Sequence, residues 1–337
     1  MAATSATLDT VAALAGVSRQ TVSNALHHPD RLKAATRDRV LDAVRRSGYR
    51  PSLPARQLAT RRAHAIAVRA DPQQDGISGL VLDTFFHGLA EAGHDNGLRV
   101  VLYPAQATQE EEVALVDDLL HSRAADAVVL TATSATDERP TYLAATGQTF
   151  CAFGRPWGHA DAPHDWVDVD GAAGTTLAVN HALERGCRRI AFLGWPDDGA
   201  TGADRRRGWA EALDAAGVPG PRREDAAVNF AEGAEAAARR LLDLPAGERP
   251  DAIVCVSDTL AFGAHRAAAT SPAAGDPPLV IGFDATPVAR ALGLPSVAQP
   301  IREAAHACLD LLVPRLAGED PPARGVLLAP SLALPSH

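Results

Sequence analysis

From Ala65 onward the chain repeats one pattern: a short unbroken apolar run, an amphipathic stretch of helical period, then the next run. The runs lie at 65–68, 100–103, 127–130, 150–153, 190–193, 253–256 and 279–283, and the helical stretches at roughly 79–95, 109–121, 171–185, 204–216, 232–243 and 258–269. Runs without polar alternation describe strands covered on both faces, as parallel strands in βαβ units are. The units are too many for one small sheet, so the pattern predicts an α/β body of two Rossmann-like lobes of parallel strands. Local signals agree: Thr108 with Glu111 makes a capping-box signature, and Asp170 is placed to cap the helix after it. The acidic run Glu110–Glu112 reads as a first turn that suits the helix dipole, not as chemistry.

Residues 7–50 follow a different rule and read as three short helices. Leu8, Val11, Ala12 and Ala15 share one helical face, Thr7 can cap that helix, and Gly16 ends it. Ser18 can cap a second helix, 18–26, with Val22 and Leu26 inward; a third, 34–47, carries Val40, Leu41 and Val44 and stops before Gly48. Pro51 and Pro54 then interrupt the chain, and residues 51–62 have room for only a turn or two of helix, marginal in isolation. Charge divides at the same place. Residues 1–64 hold 11 Lys/Arg against 4 Asp/Glu, net +7, and the remainder holds 21 against 37, net −16, giving −9 overall. A basic head on an acidic body suggests a nucleic-acid arm on a globular module, the alternative being a chance cluster of surface arginines.

The motif decides between these. Two helices joined by a tight Gly-containing turn form a helix-turn-helix. On the second helix Arg19, Gln20, Ser23, Asn24 and His27 fall on one side, away from Val22 and Leu26. In a major groove Arg pairs bidentately with guanine, and Gln or Asn with adenine. An ordinary solvated helix face is the competing reading, and it does not account for the basic charge of the head.

Other function classes lack support. Cys151, Cys187, Cys255 and Cys308 lie far apart with no CxxC or metal-ligand spacing, which points to reduced, buried thiols. No apolar run of about 18 residues suggests a membrane span, and the segment after Met1 lacks the basic and apolar regions of an export signal. A cytoplasmic protein without membrane contact is expected. Asp168-Val-Asp-Gly171 is similar to part of a calcium loop, but Trp166 and Leu177 occupy the positions that need the first ligand and the Glu. No GxGxxG, P-loop, GxSxG or HExxH occurs, and none of the 12 histidines falls in a ligand spacing. Neither a catalytic centre, nor a metal, nor a cofactor is expected.

The run from Thr7 to Leu26 closely resembles the start of lactose-repressor (LacI/GalR) family regulators, as do Thr36-Arg-Asp-Arg-Val40, Gly48-Tyr-Arg-Pro51 and Ala55-Arg-Gln-Leu58. The resemblance implies base reading by Arg19, Gln20 and Asn24, and phosphate contacts from Thr7, Ser18, Thr21, Ser23, His27 and Tyr49. It implies a hinge in which Ala55 and Arg56 line the minor groove and Leu58 wedges between base steps, at a cost of a few kcal/mol in unstacking. Two residues depart from the family pattern. Lys33 replaces a Ser-type cap, which should weaken the third helix by about 1 kcal/mol, and Asn24 stands where some members carry Arg.

The resemblance extends through the body, carried by Val167–Gly174, Arg188–Gly194, Arg205-Arg-Arg-Gly-Trp209, Ser257-Asp258, Ile281-Gly-Phe-Asp284 and Gln299-Pro300. It implies an all-α helix-turn-helix domain at 1–50, a hinge at 51–63, and a two-lobed, periplasmic-binding-protein-like effector and dimerisation domain at 64–337. The lobes would be 64–165 with 299–324 and 166–298 with 325–337. In the cleft at the strand ends, Arg205 and Asp284 match the family's ligand-binding pair, and Ser257 stands where Asn is frequent. Asp258 is read as the cap of the next helix. Arg155, Trp157 and Trp195 follow strand ends and are candidate cleft walls, with packing the alternative for each tryptophan; Trp209 reads as core. Asp83 and Phe86 on the first body helix are further candidates.

The expectation is a repressor-type regulator that binds a palindromic operator in double-stranded DNA as a homodimer under the control of a small-molecule effector. A carbohydrate is expected, with a nucleoside-type ligand as runner-up. A dimer is preferred to a helix-tied tetramer because no heptad tail precedes His337. A solute-binding module without a DNA role and an α/β enzyme are the alternatives from other classes.

Overall fold

The computed structural model describes residues 6–27, 31–49, 57, 60, 62–71, 77–159, 162–196, 199–271 and 277–335. The chain forms two compact units, Met1–Arg62 and Ala63–His337.

The first unit contains α1 (Leu8–Ala15), α2 (Arg19–His27) and α3 (Ala34–Ser47). Thr7 opens α1 with a reciprocal cap: its hydroxyl accepts from the Thr10 backbone N–H, and the Thr10 hydroxyl accepts from the Thr7 N–H, both at 3.3 Å. Gly16, at φ 61°, closes the helix in the left-handed conformation that glycine takes without steric cost. Ser18 accepts from the Thr21 N–H at 3.1 Å and so caps α2. Lys33 makes no side-chain cap on α3, the weakness its replacement of Ser predicts. Val11, Ala15, Val22, Ala25, Val40 and Ala43 form the core. Ala43 takes the buried place expected of Leu41, because Val40, Ala43 and Val44 keep the i, i+3, i+4 spacing of one stripe and Leu41 falls outside it.

The second unit holds two six-stranded sheets. The first is built from β1 (Ala65–Ala70), β2 (Arg99–Pro104), β3 (Ala127–Leu130), β4 (Phe150–Phe153), β5 (Asp165–Val169) and β11 (Gly325–Leu328), in the order β11-β5-β4-β3-β1-β2. The second uses β6 (Ile190–Gly194), β7 (Glu224–Ala226), β8 (Ala252–Cys255), β9 (Leu279–Phe283), β10 (Ser296–Ala298) and β12 (Ser331–Ala333), in the order β12-β10-β9-β8-β6-β7. Every pairing is parallel except β10 with β12. The crossover helices are α4 (Leu80–Asp95), α5 (Gln109–His121), α6 (Arg139–Ala145), α7 (Gly171–Glu184), α8 (Gly199–Ala215), α9 (Ala231–Leu242), α10 (Asp258–Thr270), α11 (Pro287–Ala291) and α12 (Ile301–Leu316).

Of the lobe boundaries expected near 165, 298 and 324, the first and the last need correction. β5 pairs with β4, and β11 pairs with β5 through Trp166 opposite Gly325, so both strands complete the first sheet. The chain therefore passes between lobes after Val169, Ala298 and Leu328. The apolar-run criterion missed β5 because buried and half-buried residues alternate along it, with Asp165 and Asp168 interrupting the run. Helix α8 begins at Gly199, a turn earlier than the pattern suggested.

Trp209 is core, 1% exposed, with its indole N–H donating to the Ile190 carbonyl at 3.2 Å and its ring tilted against Phe192. Cys151, Cys255 and Cys308 are buried, Cys187 is half-buried, and none is in a disulfide. Helices α7 and α8 approach so closely that a Cβ at Gly208 would overlap the Ala172 carbonyl oxygen. That neighbour is backbone and cannot rotate away. Gly208→Ala is therefore expected to destabilise the chain by about 1–3 kcal/mol, read as a lowered unfolding temperature; an unchanged transition would refute the close-packing assignment.

Candidate functional site

Two surfaces carry the candidate residues, one in each unit. In the first, Ser18, Arg19 and Gln20 are exposed and Thr21, Ser23 and Asn24 half-buried. Arg19 lies 3.8 Å from Asp9 with both side chains more than two-thirds exposed, a pair too solvated to hold the guanidinium in place. Gln20 Nε2 donates to Asn24 Oδ1 at 3.1 Å, so these amides sit side by side one turn apart. Thr7 and Ser18 spend their hydroxyls on capping, but each marks a helix N-terminus, where backbone N–H groups attract anions. Tyr49 packs against the core of the head. His27 closes α2, and its side chain lies outside the described residues, as do Ala55, Arg56 and Leu58.

In the second unit a cavity of about 570 Å³ opens between the lobes. The first lobe contributes Asp71 at the end of β1, Asp83 and Phe86 from α4, and Leu102 from β2. The second contributes Trp195 after β6, Arg205 from α8, Asn229 after β7 and Asp284 after β9, and Gln299 lies in the segment that returns the chain to the first lobe. A smaller recess of about 160 Å³ shares Arg205 and Gln299 and is walled by Trp157, Asp168 and Asp204.

Arg205 is the centre of the arrangement. Its Nη1 donates to the Val256 carbonyl at 2.6 Å and lies 3.9 Å from Asp284 Oδ1, and its guanidinium lies 3.6 Å over the Phe283 ring. Nε is buried without a partner. Burial pushes the guanidinium pKa down, and the carboxylates of Asp284, Asp168, Asp204 and Asp258 act against that shift. Asp284 is raised to about 7, first by burial and further by Asp258, with Arg205 and a hydrogen bond from Gln299 opposing. The Gln299 amide donates to Asp284 Oδ1 at 2.8 Å. Asp284 and Ala285 hold φ of 116° and 48°, a backbone most side chains avoid. Such strain costs about 1–3 kcal/mol and persists only where surrounding bonds over-determine it. Here the Asp284 N–H donates to the Val297 carbonyl, the Ala285 N–H to the Ser296 hydroxyl, and the Thr286 N–H to Asp258.

Three expectations need correction. Asp258 does not cap α10: Ser257 does, accepting from the Leu260 N–H at 3.3 Å, while the buried Asp258 carboxylate accepts from Ser296 and the Thr286 N–H beneath the strained turn. Ser257 itself does not line the cavity; it is 1% exposed and donates to Asn229 Oδ1 at 2.7 Å. Arg155 is not on the main cavity wall. Its Nε donates to Asp168 at 2.6 Å, its Nη2 reaches Asp204 of the other lobe at 3.5 Å, and it stacks on Trp157. Glu112 lies in the acidic first turn of α5 as expected, and it is in addition buried and paired with Arg139 at 3.4 Å. Asn229 was missed, because an Asn in a loop after a weak strand carries no motif.

Among the described residues no group of three His, Cys, Asp or Glu side chains is placed to hold a metal, and no helix is long and apolar enough to cross a membrane. A further cavity of about 750 Å³ lies within the first lobe around Trp157 and His164, away from Arg205 and Asp284.

Comparison with known proteins fits this geometry. Residues 7–52 match the family described as bacterial regulatory proteins, lacI family, and residues 179–334 match the periplasmic binding protein-like domain. The HTH-type transcriptional regulator CelR of Thermobifida fusca is 32% identical, covering 93% of this chain and 92% of its own. A transcriptional regulator CelR–cellobiose complex is 28% identical with a TM-score of 0.71, covering 98% of both chains. The Lac repressor dimer bound to operator and an anti-inducer shares the fold at 24% identity, with a TM-score of 0.80 over 98% of both chains. The chain belongs to the LacI family of HTH-type transcriptional regulators, DNA-binding proteins and not enzymes.

Proposed function

We propose that this regulator is a repressor that binds a near-palindromic operator as a dimer, and that a carbohydrate in the cleft between its lobes controls the binding. The observation that carries the effector half is one cavity in which both lobes meet over a guanidinium, a carboxylate and an indole. Arg205 offers N–H donors, Asp284 accepts from hydroxyls, and Trp195 gives an apolar face, the set a polyhydroxyl ring needs. The cellobiose complex of the CelR relative supports the same ligand class. In the head, Arg19, Gln20 and Asn24 read bases, while Thr7, Ser18, Thr21, Ser23, His27 and Tyr49 hold phosphates. Ala55, Arg56 and Leu58 form the minor-groove hinge. A two-fold protein reads a two-fold site, and the reading implies action in the cytoplasm. The effector acts by binding one lobe angle better than another, the only way a ligand shifts such an equilibrium.

Thermal shift of the whole chain with glucose, ribose and cellobiose tests the cleft. A sugar at about a hundred times its Kd should stabilise by about 2.7 kcal/mol, and Arg205→Ala should abolish the shift. Stabilisation that survives in Arg205→Ala would move the ligand elsewhere. In operator binding, Leu58→Ala should weaken the selected operator while leaving affinity for random DNA and its salt slope nearly unchanged; equal operator affinity would remove the hinge role.

The Asp284 carboxyl predicts a pH profile. Ligand hydroxyls donate to the ionised form, so sugar affinity should rise with pH through about 7 and level off above it. Below that value the limiting loss is about tenfold per pH unit for one proton. The linkage to stability has the opposite sign. A folded pKa raised above the unfolded value means that the folded chain keeps a proton the unfolded chain has lost, so this group's contribution is present at low pH and declines from about pH 4 to about 7. Titration calorimetry at pH 6 and 8 checks the affinity, and Asp284→Asn should flatten its pH dependence.

A further inference from the structure

Two hydrogen bonds fix the Asn229 amide oxygen at the cleft wall. Trp195 Nε1 donates to Asn229 Oδ1 at 3.1 Å, and Ser257 Oγ donates to the same oxygen at 2.7 Å. Ser257 in turn accepts from the Leu260 N–H, so its single hydroxyl hydrogen is directed to Asn229. An indole N–H only donates. Both neighbours therefore require an acceptor, and the reverse orientation of the amide would set N–H against N–H. The oxygen is committed, and no protein group among the described residues takes the Nδ2 hydrogens. Asn229 is half-buried and lines the cavity with Trp195, Arg205, Asp284 and Gln299.

We infer that Asn229 is an effector-binding residue whose amide, locked by Trp195 and Ser257, presents only N–H donors to the cleft and selects an oxygen acceptor on the ligand. The inference rests on the carbohydrate reading of the cleft. It assigns Ser257 a positioning role: too short and too buried to reach the ligand, it holds another element's amide in place. It gives Trp195 two tasks, since the indole that walls the cavity also fixes the amide. With Arg205 donating and Asp284 accepting, the second lobe then offers the ligand two donor groups and one acceptor.

Asn229→Asp separates the lock from the contact. A carboxylate still accepts from Trp195 and Ser257, but it turns an acceptor oxygen into the cleft where the amide had donors. In full-length protein titrated with glucose, ribose and cellobiose, Asn229→Asp should weaken the sugar that wild type binds by about tenfold or more. The Trp195 indole N–H resonance, assigned with Trp195→Phe, should keep its hydrogen-bonded shift. Asn229→Ala should lose both the affinity and that shift, and Ser257→Ala should lose less affinity than either. Wild-type binding with Asn229→Asp within twofold would overturn the assignment of Asn229 alone. A wild-type chain that binds none of the three sugars would overturn the carbohydrate reading and this inference with it. An indole resonance unchanged in Asn229→Ala would overturn the lock.

Discussion

A guanidinium buried where two lobes meet is the constraint around which the body is arranged. Removing such a charge from water is costly unless carboxylates and hydrogen bonds compensate. Arg205 is surrounded by Asp284, Asp258, Asp204 and Asp168, and each of those is engaged by another group. Gln299 holds Asp284, Ser296 and the Thr286 N–H hold Asp258, the Ala172 N–H holds Asp204, and Arg155 holds Asp168. Satisfying one cation thus ties together the ends of β5 and β9, the starts of α7 and α10, and the middle of α8. Gly171 and Gly208 permit it: a Cβ at Gly171 would stand 3.0 Å from both Asp204 and the Arg205 stem.

The crossings between lobes pass through the same site. Gln299 lies in the second connecting segment and bonds the cleft carboxylate, while Asp168 and Asp170 flank the first and hold Arg155 and the start of α7. A ligand that draws on Asp284 therefore competes for a side chain in the connection itself. Cleft occupancy and lobe angle share atoms, which is the physical requirement for an effector to bias the orientation of anything attached to the body.

Much of this was legible in the sequence because it rests on short-range rules. The helix-turn-helix followed from apolar spacing, Thr7, Gly16 and Ser18, and the buried strands from unbroken apolar runs. Arg205, Asp284, Trp195, Asp83 and Phe86, each expected from the sequence, meet in one cavity. What failed depended on partners distant in sequence. β5 is a strand because β4 and β11 flank it, although Asp165 and Asp168 break its apolar run. Ser257 takes the capping role expected of Asp258 because Ser296 at the start of β10 and the Thr286 N–H beyond β9 claim the Asp258 carboxylate. Asn229 matters through Trp195 and Ser257, 34 and 28 residues away, and no local spacing encodes that.

The backbone at Asp284 also restricts how such a receptor can change its preferences. At φ 116° the position accepts few side chains without strain, glycine foremost. Random substitution there damages the turn before it alters recognition. Asn229 sits in a loop without a positive φ, its amide held by side-chain bonds and its backbone by one tight turn from Val228 to Phe230. New ligand preferences are reached more readily through the loop around Asn229 than through the turn at Asp284, so one wall of the cleft is free to diversify while its floor is held constant.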